Sequence, residues 1–318
     1  MQKHEQWERR WELADLRSAL PSLEKTYLCA TRSVRSRVLQ EFPLAEIESP
    51  ESVPADAETL IVAGGGTLID RAKVFRQSHW PALNLFAIPT IWGSGAEVSP
   101  VAVLSGTKKD IHFNDDLIPD HYVVWPELAE TAPADLQRFA CGDVWSHALE
   151  AFCSPLATET IRKQAAELMN EIALYPLTFD QRWFDASASA CLLQARSSVG
   201  LIHGFAHVLE PLLLASDPAG HWGHAKLCSL FLSPVLSFNL SRSPKVQTLA
   251  TNFGLDLEKV QVVAKLLFDE RAYKTAMSTA EQHWEAIARD RCSRTNCILV
   301  RRDSLEYFQN FRNSGAAA

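Results

Sequence analysis

The hydrophobic pattern of this 318-residue chain changes near residue 134, and the change restricts the folds that the chain can adopt. Before that point, short apolar runs, such as residues 59–63 and 84–88, end at glycine or proline and alternate with helical segments. Short buried strands that alternate with helices predict a parallel sheet in α/β order. After Ala134, long stretches carry apolar residues at helical spacing, and strand-like alternation nearly disappears. The sequence therefore predicts an α/β domain at residues 1–132 and an all-α domain at residues 133–318.

Individual elements follow from the same pattern. Apolar runs bounded by glycine or proline predict strands at residues 25–30, 59–63, 84–88 and 121–126. Helical spacing predicts helices at residues 35–42, 70–75, 135–153, 161–174, 187–214, 223–236 and 258–291. The charged, tryptophan-rich first 24 residues predict a helix and a loop that ends near Pro21. Trp7 and Trp11, close to Arg9 and Arg10, are expected to be exposed and available to an interface.

Composition excludes several classes of protein. The formal net charge of -7 argues against a nucleic-acid partner, and 47% hydrophobic with 22% charged residues is typical of a globular, soluble protein. No apolar run approaches the roughly 20 residues of a membrane span. The first ten residues are too charged for a signal-peptide core. The seven cysteines are scattered without a Cys-x-x-Cys pair, which predicts reduced thiols in a cytoplasmic protein and no cysteine-based zinc site.

Two glycine-containing loops are candidate phosphate-binding segments. Gly64, Gly65, Gly66 and Thr67 follow a buried strand and precede a helix, so their backbone can approach a phosphate closely. Alone, such a turn is more often structural. The loop at residues 89–97 also follows a strand and is rich in small residues, and two such loops at the carboxyl ends of parallel strands define a ligand crevice. There is no Gly-x-Gly-x-x-Gly motif, and a surface position explains Lys73 at least as well as a functional one.

Three residue pairs in the second half are candidate metal ligands: Asp143 with His147, His203 with His207, and His221 with His224. Each spacing can put both side chains on one helix face, and a carboxylate with several imidazoles suits a divalent transition metal. A single pair is equally explained as a salt link or as core histidines. His224 is favoured over His221 because it begins a helical run. Glu150 is interpreted as a residue outside the ligand set, supporting it or solvated.

These segments together resemble the iron-containing (group III) alcohol dehydrogenases. Residues 63–73 resemble their Gly-Gly-Gly-Ser-x-x-Asp-x-x-Lys motif, and residues 88–100 their Ile-Pro-Thr-Thr-Ala-Gly-Thr-Gly-Ser-Glu-Val-Thr-Pro loop. Residues 142–152 are similar to their Asp-Ala-x-x-His-Ala-x-Glu-x-Tyr helix, and residues 201–207 contain their His-Gly-x-x-His segment. Residues 223–225 best match their last histidine. The resemblance covers roughly residues 25 to 310.

The resemblance implies a shortened, Rossmann-like dinucleotide-binding domain followed by a helical metal-binding domain, the architecture also found in dehydroquinate synthase. It implies NAD or NADP as cofactor and Fe²⁺, with Zn²⁺ as the alternative metal. The implied ligands are Asp143, His147, His203 and His224. The implied dinucleotide contacts are Gly65, Gly66, Thr67, Asp70 and Thr90. His207 would lie near the nicotinamide and the substrate and relay a proton.

The predicted function is reversible hydride transfer between the nicotinamide and a small alcohol or aldehyde, assisted by the metal. One alternative is a glycerol-dehydrogenase-like or dehydroquinate-synthase-like enzyme on the same architecture. Another is a non-catalytic relative that acts as a subunit, because Ile91 and Trp92 stand where the family has smaller residues. Thr31 stands where an acidic residue would repel a 2′-phosphate, so NADP is allowed. A homo-oligomer is also allowed.

Overall fold

The computed structural model describes residues 9–20, 25–105 and 109–312, except for the side chain of Ser105. The chain divides into two compact units, Met1–Ala132 and Pro133–Ala318. Trp7 and Pro21, which entered the expectations for the first 24 residues, lie outside the described residues. Among the residues that are described, no helix combines the length and the apolar character needed to cross a membrane.

The first unit is built on a parallel sheet. Its strands and helices are β1 (Arg10–Glu12), α1 (Leu13–Ala19), β2 (Thr26–Ala30), α2 (Arg35–Glu41), β3 (Ala45–Glu46), β4 (Thr59–Gly64), α3 (Gly66–His79), β5 (Asn84–Pro89), β6 (Val101–Ser105), β7 (Lys109–Phe113) and β8 (His121–Val124). Six of the strands form one sheet in the order β1-β8-β5-β4-β2-β3, and every pairing is parallel. Strands β6 and β7 form a separate antiparallel hairpin, which the sequence did not predict.

The second unit is helical throughout its described part. Its helices are α4 (Ala134–Cys153), α5 (Glu159–Ile172), α6 (Arg182–Ala195), α7 (Leu201–Ser216), α8 (His224–Arg242), α9 (Lys245–Phe253), α10 (Leu257–Leu267), α11 (Glu270–Gln282), α12 (Trp284–Arg289) and α13 (Ser304–Gln309). The expectation of an α/β unit followed by an all-α unit is confirmed.

The apolar runs of the first unit form the strands at its core. Leu28, Ile61, Phe86 and Val123, one from each of four neighbouring strands, are at most 1% exposed and belong to one cluster. Parallel strands are covered on both faces, so their sequences are apolar almost continuously.

The prediction that Trp11 is exposed is wrong. Residues 10–12 form a strand at the sheet edge that pairs with β8. The Trp11 ring is half-buried and packs against Phe86 and His121, at centroid distances of 5.1 and 4.3 Å. Because the flanking residues are charged, the sequence did not indicate the short strand Arg10–Glu12, in which the Trp11 ring packs on the sheet.

Two long helical predictions are interrupted. The stretch at 187–214 contains the end of α6 and the start of α7, and between them Ser198 has a φ of 156° that helices do not allow. The stretch at 258–291 contains three helices. One of them, α11, begins after Asp269, whose side chain accepts a hydrogen bond from the Ala272 amide at 2.8 Å. Apolar periodicity continues across such breaks, so it does not reveal them.

Helices α4 and α8 approach closely at Gly142. A Cβ atom there would lie 1.9 Å from Ser229 Oγ and 2.9 Å from the Ser229 Cα atom, so a larger residue requires the backbones to separate. Ser229 Oγ also donates to the carbonyl of Phe139, and Ser146 Oγ to that of Cys228. Since Asp143 follows Gly142, this crossing brings its carboxylate to the first turn of α8.

Candidate functional site

The second unit brings three of the predicted metal-binding residues together. Asp143 lies on α4, His203 on α7, and His224 is the first residue of α8. Asp143 Oδ1 lies 3.9 Å from His203 Nε2 and 4.0 Å from His224 Nε2. The Sγ atom of Cys228 joins them, and these four ligand atoms lie within 4.8 Å of one another. Oxygen, nitrogen and sulfur donors in one group suit a transition-metal ion.

Two atoms of this group lack the hydrogen bonds that buried polar atoms normally make. Asp143 and His203 are 2% and 3% exposed. Within the described parts of the chain, neither Asp143 Oδ1 nor His203 Nε2 has a hydrogen-bond partner. Leaving a buried polar atom unbonded costs about 1–3 kcal/mol, so such atoms are rare in folded proteins. A cation bound between them would satisfy both.

The surroundings of Asp143 favour its charged form. Burial, the largest influence, would raise the pKa of the carboxyl. The neighbouring imidazoles of His147, His224 and His203 lower that pKa. A hydrogen bond from the Cys228 thiol lowers it further, and the net direction is downward. Asp143 is therefore an anion at neutral pH, which is the form that binds a cation.

His147 lies beside the four-atom group without being one of its members. Its ring stacks on that of His203, with a centroid distance of 4.7 Å and an interplanar angle of 29°. It is buried and one helical turn after Asp143. Its assignment as a metal ligand stays a prediction.

Sequence reasoning missed Cys228, and it expected no cysteine in a metal site. The signal was present, because Cys228 follows His224 by four residues and so shares its helix face. The thiol lies 3.6 Å from His224 Nε2. From sequence alone, a single cysteine on an apolar helix is interpreted as a core residue. Its position next to metal-binding residues is seen only when the packing of the neighbouring helices is known.

His207 is turned toward a different group. Its Nδ1 atom lies 3.8 Å from Asp290 Oδ1 and 3.6 Å from the Sγ atom of Cys292. Burial would raise the pKa of Asp290, but the neighbouring His207 lowers it, as does the Cys292 amide, which donates to Asp290 Oδ1 at 2.8 Å. The His207 ring centroid is 6.0 Å from that of His203 and 5.6 Å from that of His224. His207 thus lies next to the four-atom group, and a carboxylate faces its Nδ1 atom.

His221, the alternative to His224, does not join the group. It is exposed and has a φ of 46°, in the turn that precedes α8. His224 instead begins α8, after the N-cap residue Gly223. The structure therefore brings His224, and not His221, to Asp143.

In the first unit, the predicted phosphate-binding glycines surround the start of α3. Gly65 is the N-cap residue of this helix, and a Cβ atom on Gly65 would meet no atom within 4 Å. A Cβ atom on Gly66 would lie 2.5 Å from Ser94 Oγ, so this glycine permits the second loop to approach. The first turn, which includes Thr67, carries no acidic residue and no side-chain cap. Its N–H groups and helix dipole can therefore accept an anion.

The second loop starts beside the first. Strands β4 and β5 pair from Thr59 with Asn84 to Gly64 with Pro89, and the Thr90 amide then donates to the Gly64 carbonyl at 3.1 Å. Both loops consequently lie at the carboxyl ends of adjacent parallel strands, where open sheets bind ligands.

Asp70 and Lys73 have a structural role in this unit. Lys73 is fully buried, so its interpretation as a surface charge is wrong. Its ammonium group donates to Asp70 Oδ1 at 2.9 Å and to the Ala96 carbonyl at 3.0 Å, while Asp70 Oδ2 accepts from the Val103 amide at 2.9 Å. The pair fastens the second loop and the β6–β7 hairpin to α3. A dinucleotide contact by Asp70 stays a prediction.

A buried acid in the second loop was not recognised from the sequence. Glu97 is 4% exposed, and burial raises the pKa of its carboxyl to about 7. Its own amide and the charge of Lys73 oppose this rise, while Asp70 adds to it. Glu97 therefore changes its charge near neutral pH.

The fold and these sites define a class of protein in which an α/β unit with a glycine loop precedes a helical unit with a buried Asp–His group. Residues 27–126 match the profile of the family described as iron-containing alcohol dehydrogenase. The 1-propanol dehydrogenase PduQ of Salmonella typhimurium is 30% identical over 200 residues, which are 57% of this chain and 52% of that protein. An NADPH-dependent butanol dehydrogenase of Clostridium saccharobutylicum is 25% identical over 217 residues, 59% of this chain and 54% of that protein.

Solved structures match over a larger share of the chain. An iron-containing alcohol dehydrogenase of Thermococcus thioreducens has a TM-score of 0.73 and 20% identity, covering 95% of this chain and 97% of that one. Sulfoacetaldehyde reductase of Bifidobacterium kashiwanohense in complex with NAD+ has a TM-score of 0.70 and 17% identity, covering 96% and 97%. At these identities the likeness concerns the fold. In sequence, the chain spans about half the length of the curated relatives that it matches. Residues 27–126 are thus similar to the iron-containing alcohol dehydrogenase family, and solved structures described by that name share the fold of the chain.

Proposed function

We propose that this protein interconverts a small alcohol and its aldehyde or ketone, using NAD or NADP and a divalent metal, Fe²⁺ or Zn²⁺. The observation that carries the proposal is the position of Asp143 Oδ1 opposite the Nε2 atoms of His203 and His224, at 3.9 and 4.0 Å. In this proposal residues 1–132 bind the dinucleotide and residues 133–318 bind the metal. The named relatives, a propanol and a butanol dehydrogenase, support a small alcohol as the substrate class.

The donor atoms fit a divalent metal. Two ligands bound to one ion at about 2.1 Å lie roughly 3.4 Å apart in a tetrahedral site, so separations of 3.9 and 4.0 Å need only small side-chain movements. The unbonded Asp143 Oδ1 and His203 Nε2 atoms support the same assignment. We assign Asp143, His203 and His224 as ligands, with His147 as the fourth.

The first unit fits a dinucleotide. The uncapped start of α3 and the open space at Gly65 suit a pyrophosphate group, which the helix N-terminus would stabilise. Gly66, Thr67 and Thr90 would complete the contacts. The NAD+ complex of the sulfoacetaldehyde reductase, with the same fold, supports this role.

The chemistry is then divided between the bound groups and the chain. When bound, the metal supplies positive charge beside the substrate oxygen, and the nicotinamide exchanges the hydride. His207 would accept the alcohol proton at Nε2, since its Nδ1 atom faces Asp290. The negative charge of Asp290 would stabilise the resulting imidazolium.

Metal analysis and cofactor binding test this proposal together. The purified protein should contain Fe²⁺ or Zn²⁺ near one ion per chain, and it should quench or shift NADH or NADPH fluorescence on titration. It should also oxidise one of the two cofactors with a small aldehyde, such as propanal. Protein that retains neither metal and binds neither cofactor at millimolar concentration would contradict the proposal.

A further inference from the structure

Glu150 is a buried carboxylate that contacts the start of α7. It lies on α4 and is 5% exposed. Glu150 Oε2 accepts a hydrogen bond from the Gly200 amide at 2.7 Å, and Oε1 accepts one from the Ile202 amide at 2.6 Å. Oε2 also lies 2.7 Å from His203 Nδ1. One side chain on α4 thus holds both the beginning of α7 and the imidazole on its first turn.

The contact with Glu150 determines which nitrogen of His203 carries the proton. A carboxylate that accepts hydrogen bonds requires a donor at this distance, so the Nδ1 atom of His203 must be protonated. In the neutral imidazole the lone pair is then at Nε2. That atom lies 3.9 Å from Asp143 Oδ1.

We propose that Glu150 is a positioning residue of the metal site, which holds His203 in the Nδ1-protonated tautomer and turns its Nε2 lone pair toward Asp143. The inference rests on the proposed function, since it concerns a ligand of the metal assigned there. Histidine ligands in metalloproteins commonly donate their other N–H group to a carboxylate, and loss of that partner typically weakens metal binding 10–100-fold.

The packing around Glu150 is built for this contact. Gly200 is the N-cap residue of α7, and a Cβ atom there would lie 2.9 Å from Glu150 Oε1. A larger residue at this position would therefore displace the carboxylate. The absence of a side chain at Gly200 lets Glu150 take the place of a helix cap.

Glu210 offers a comparison within the same unit. Its Oε2 atom lies 3.6 Å from His224 Nδ1, outside hydrogen-bond distance, and its side chain is 13% exposed. Glu210 thus places a negative charge near a predicted ligand without the short contact that Glu150 makes. Removing each charge separately distinguishes the effect of the hydrogen bond from that of charge.

The decisive variant is Glu150→Gln. The amide of glutamine has one acceptor oxygen for three N–H groups, those of Gly200, Ile202 and His203, and its NH₂ group cannot accept from any of them. In the metal-free protein, the preference of His203 for the Nδ1–H tautomer should therefore weaken, and the ¹⁵N shifts should show a larger share of the Nε2–H tautomer. Co²⁺, added as the metal alone and followed by its visible absorption, should bind about 10–100-fold more weakly.

Two controls separate positioning from general damage. Glu210→Gln should lower Co²⁺ affinity by less than Glu150→Gln does. Asn239→Ala removes a buried hydrogen bond to Asn296, which also lies near Gly200, and should reduce stability without changing the His203 tautomer. These results would assign the effect to the contact with Nδ1.

The inference would be overturned if Glu150→Gln kept the Nδ1–H tautomer and bound Co²⁺ within about threefold of the wild-type affinity. Equal weakening by Glu210→Gln would also overturn it, because charge alone would then be the cause. A wild-type protein that binds no Co²⁺ would contradict the proposed function instead. The two failures are thus distinguishable.

Discussion

The two units treat buried charge in opposite ways. In the first unit, Asp70 has hydrogen bonds on both carboxylate oxygens, from Lys73 and from the Val103 amide. In the second, Asp143 is at least as deeply buried, yet its Oδ1 atom makes no hydrogen bond within the described residues. The first carboxylate is satisfied by the chain itself, whereas the second faces imidazoles at 3.9 and 4.0 Å.

The number of hydrogen bonds that a buried carboxylate makes distinguishes a structural role from a ligand-binding role. A buried ion pair with complete hydrogen bonding fixes loops and has no need of a ligand. A buried carboxylate with an unbonded oxygen is costly, and folded proteins keep such groups mainly where an ion or a substrate supplies the missing partner. Burial and charge alone therefore do not identify a site. The completeness of hydrogen bonding does.

The largest expected effect is the loss of a predicted metal ligand in the second unit. His203→Ala should abolish metal retention and turnover together. The loss of activity should be about 100-fold or more, since loss of an outer residue alone typically costs 10–100-fold. Metal content by elemental analysis and NADH oxidation with propanal measure the two losses.

His221→Ala is the matched control for this prediction. It removes an imidazole from an exposed turn residue close in sequence to His224, and both measurements should stay at wild-type values. Full metal content and rate in the His203 variant would disprove the ligand assignment.

The next effect concerns Glu97, the buried acid of the second loop in the first unit. The pKa of Glu97 is about 7 in the folded protein against 4.5 for the ordinary group, so folding favours its protonated form. Its contribution to stability is complete below pH 4.5 and is lost as pH rises through 7. Glu97→Gln should therefore gain about 3 kcal/mol relative to wild type between pH 4.5 and pH 8.

Urea unfolding of the wild type and of Glu97→Gln at both pH values measures this difference. Glu127→Gln, an exposed acid of the same unit, should show no comparable change. A constant difference between the Glu97 variant and wild type over this pH range would refute the assignment of the titration to Glu97.

A smaller effect tests how the helices position Asp143. Gly142→Ala places a Cβ atom 2.9 Å from the Ser229 Cα atom. Overpacking of this kind costs about 1–3 kcal/mol, while the better helix propensity of alanine returns about 1 kcal/mol. A net loss of about 1–2 kcal/mol in unfolding free energy is expected, with weaker Co²⁺ binding.

Adding Ser229→Gly to Gly142→Ala should recover part of that loss. The second substitution removes the Oγ and Cβ atoms that the new methyl group would meet. If Gly142→Ala unfolded at the wild-type urea concentration, the close crossing of α4 and α8 would not be needed to position Asp143.

The smallest effect tests the dinucleotide site. Gly65→Asp adds a negative charge at the start of α3, where the proposed pyrophosphate binds, and should weaken NADH binding about tenfold, or about 1.4 kcal/mol. Gly65→Asn is the matched control, since both residues are good N-caps and differ in charge. Fluorescence titration measures both affinities, and metal content should not change. Equal affinities for the two variants would argue against phosphate binding at this helix.

Much of the fold could be predicted because its signals are local. Strands were predicted from the apolar runs at residues 59–63 and 84–88, which end at glycine and at proline. Each strand in the structure ends one residue later than predicted. The edge strand at Arg10–Glu12 and strand β7 were missed because polar residues in short strands leave no apolar run, whereas β6 does contain an apolar run, at residues 101–104, that was overlooked. The break at Ser198 was missed because apolar residues at helical spacing lie on both sides of it.

For the site, the sequence by itself determined the pairs. Asp143 with His147 and His203 with His207 are four residues apart, so helix geometry alone puts each pair on one face. The tertiary structure decided how the pairs combine. The crossing of helices at Gly142 places Cys228 in the four-atom group and His147 beside that group. The contact between Glu150 and His203 joins residues that are 53 positions apart in the sequence. Contacts at that separation depend on how helices pack, and packing is set by the whole unit rather than by any one segment.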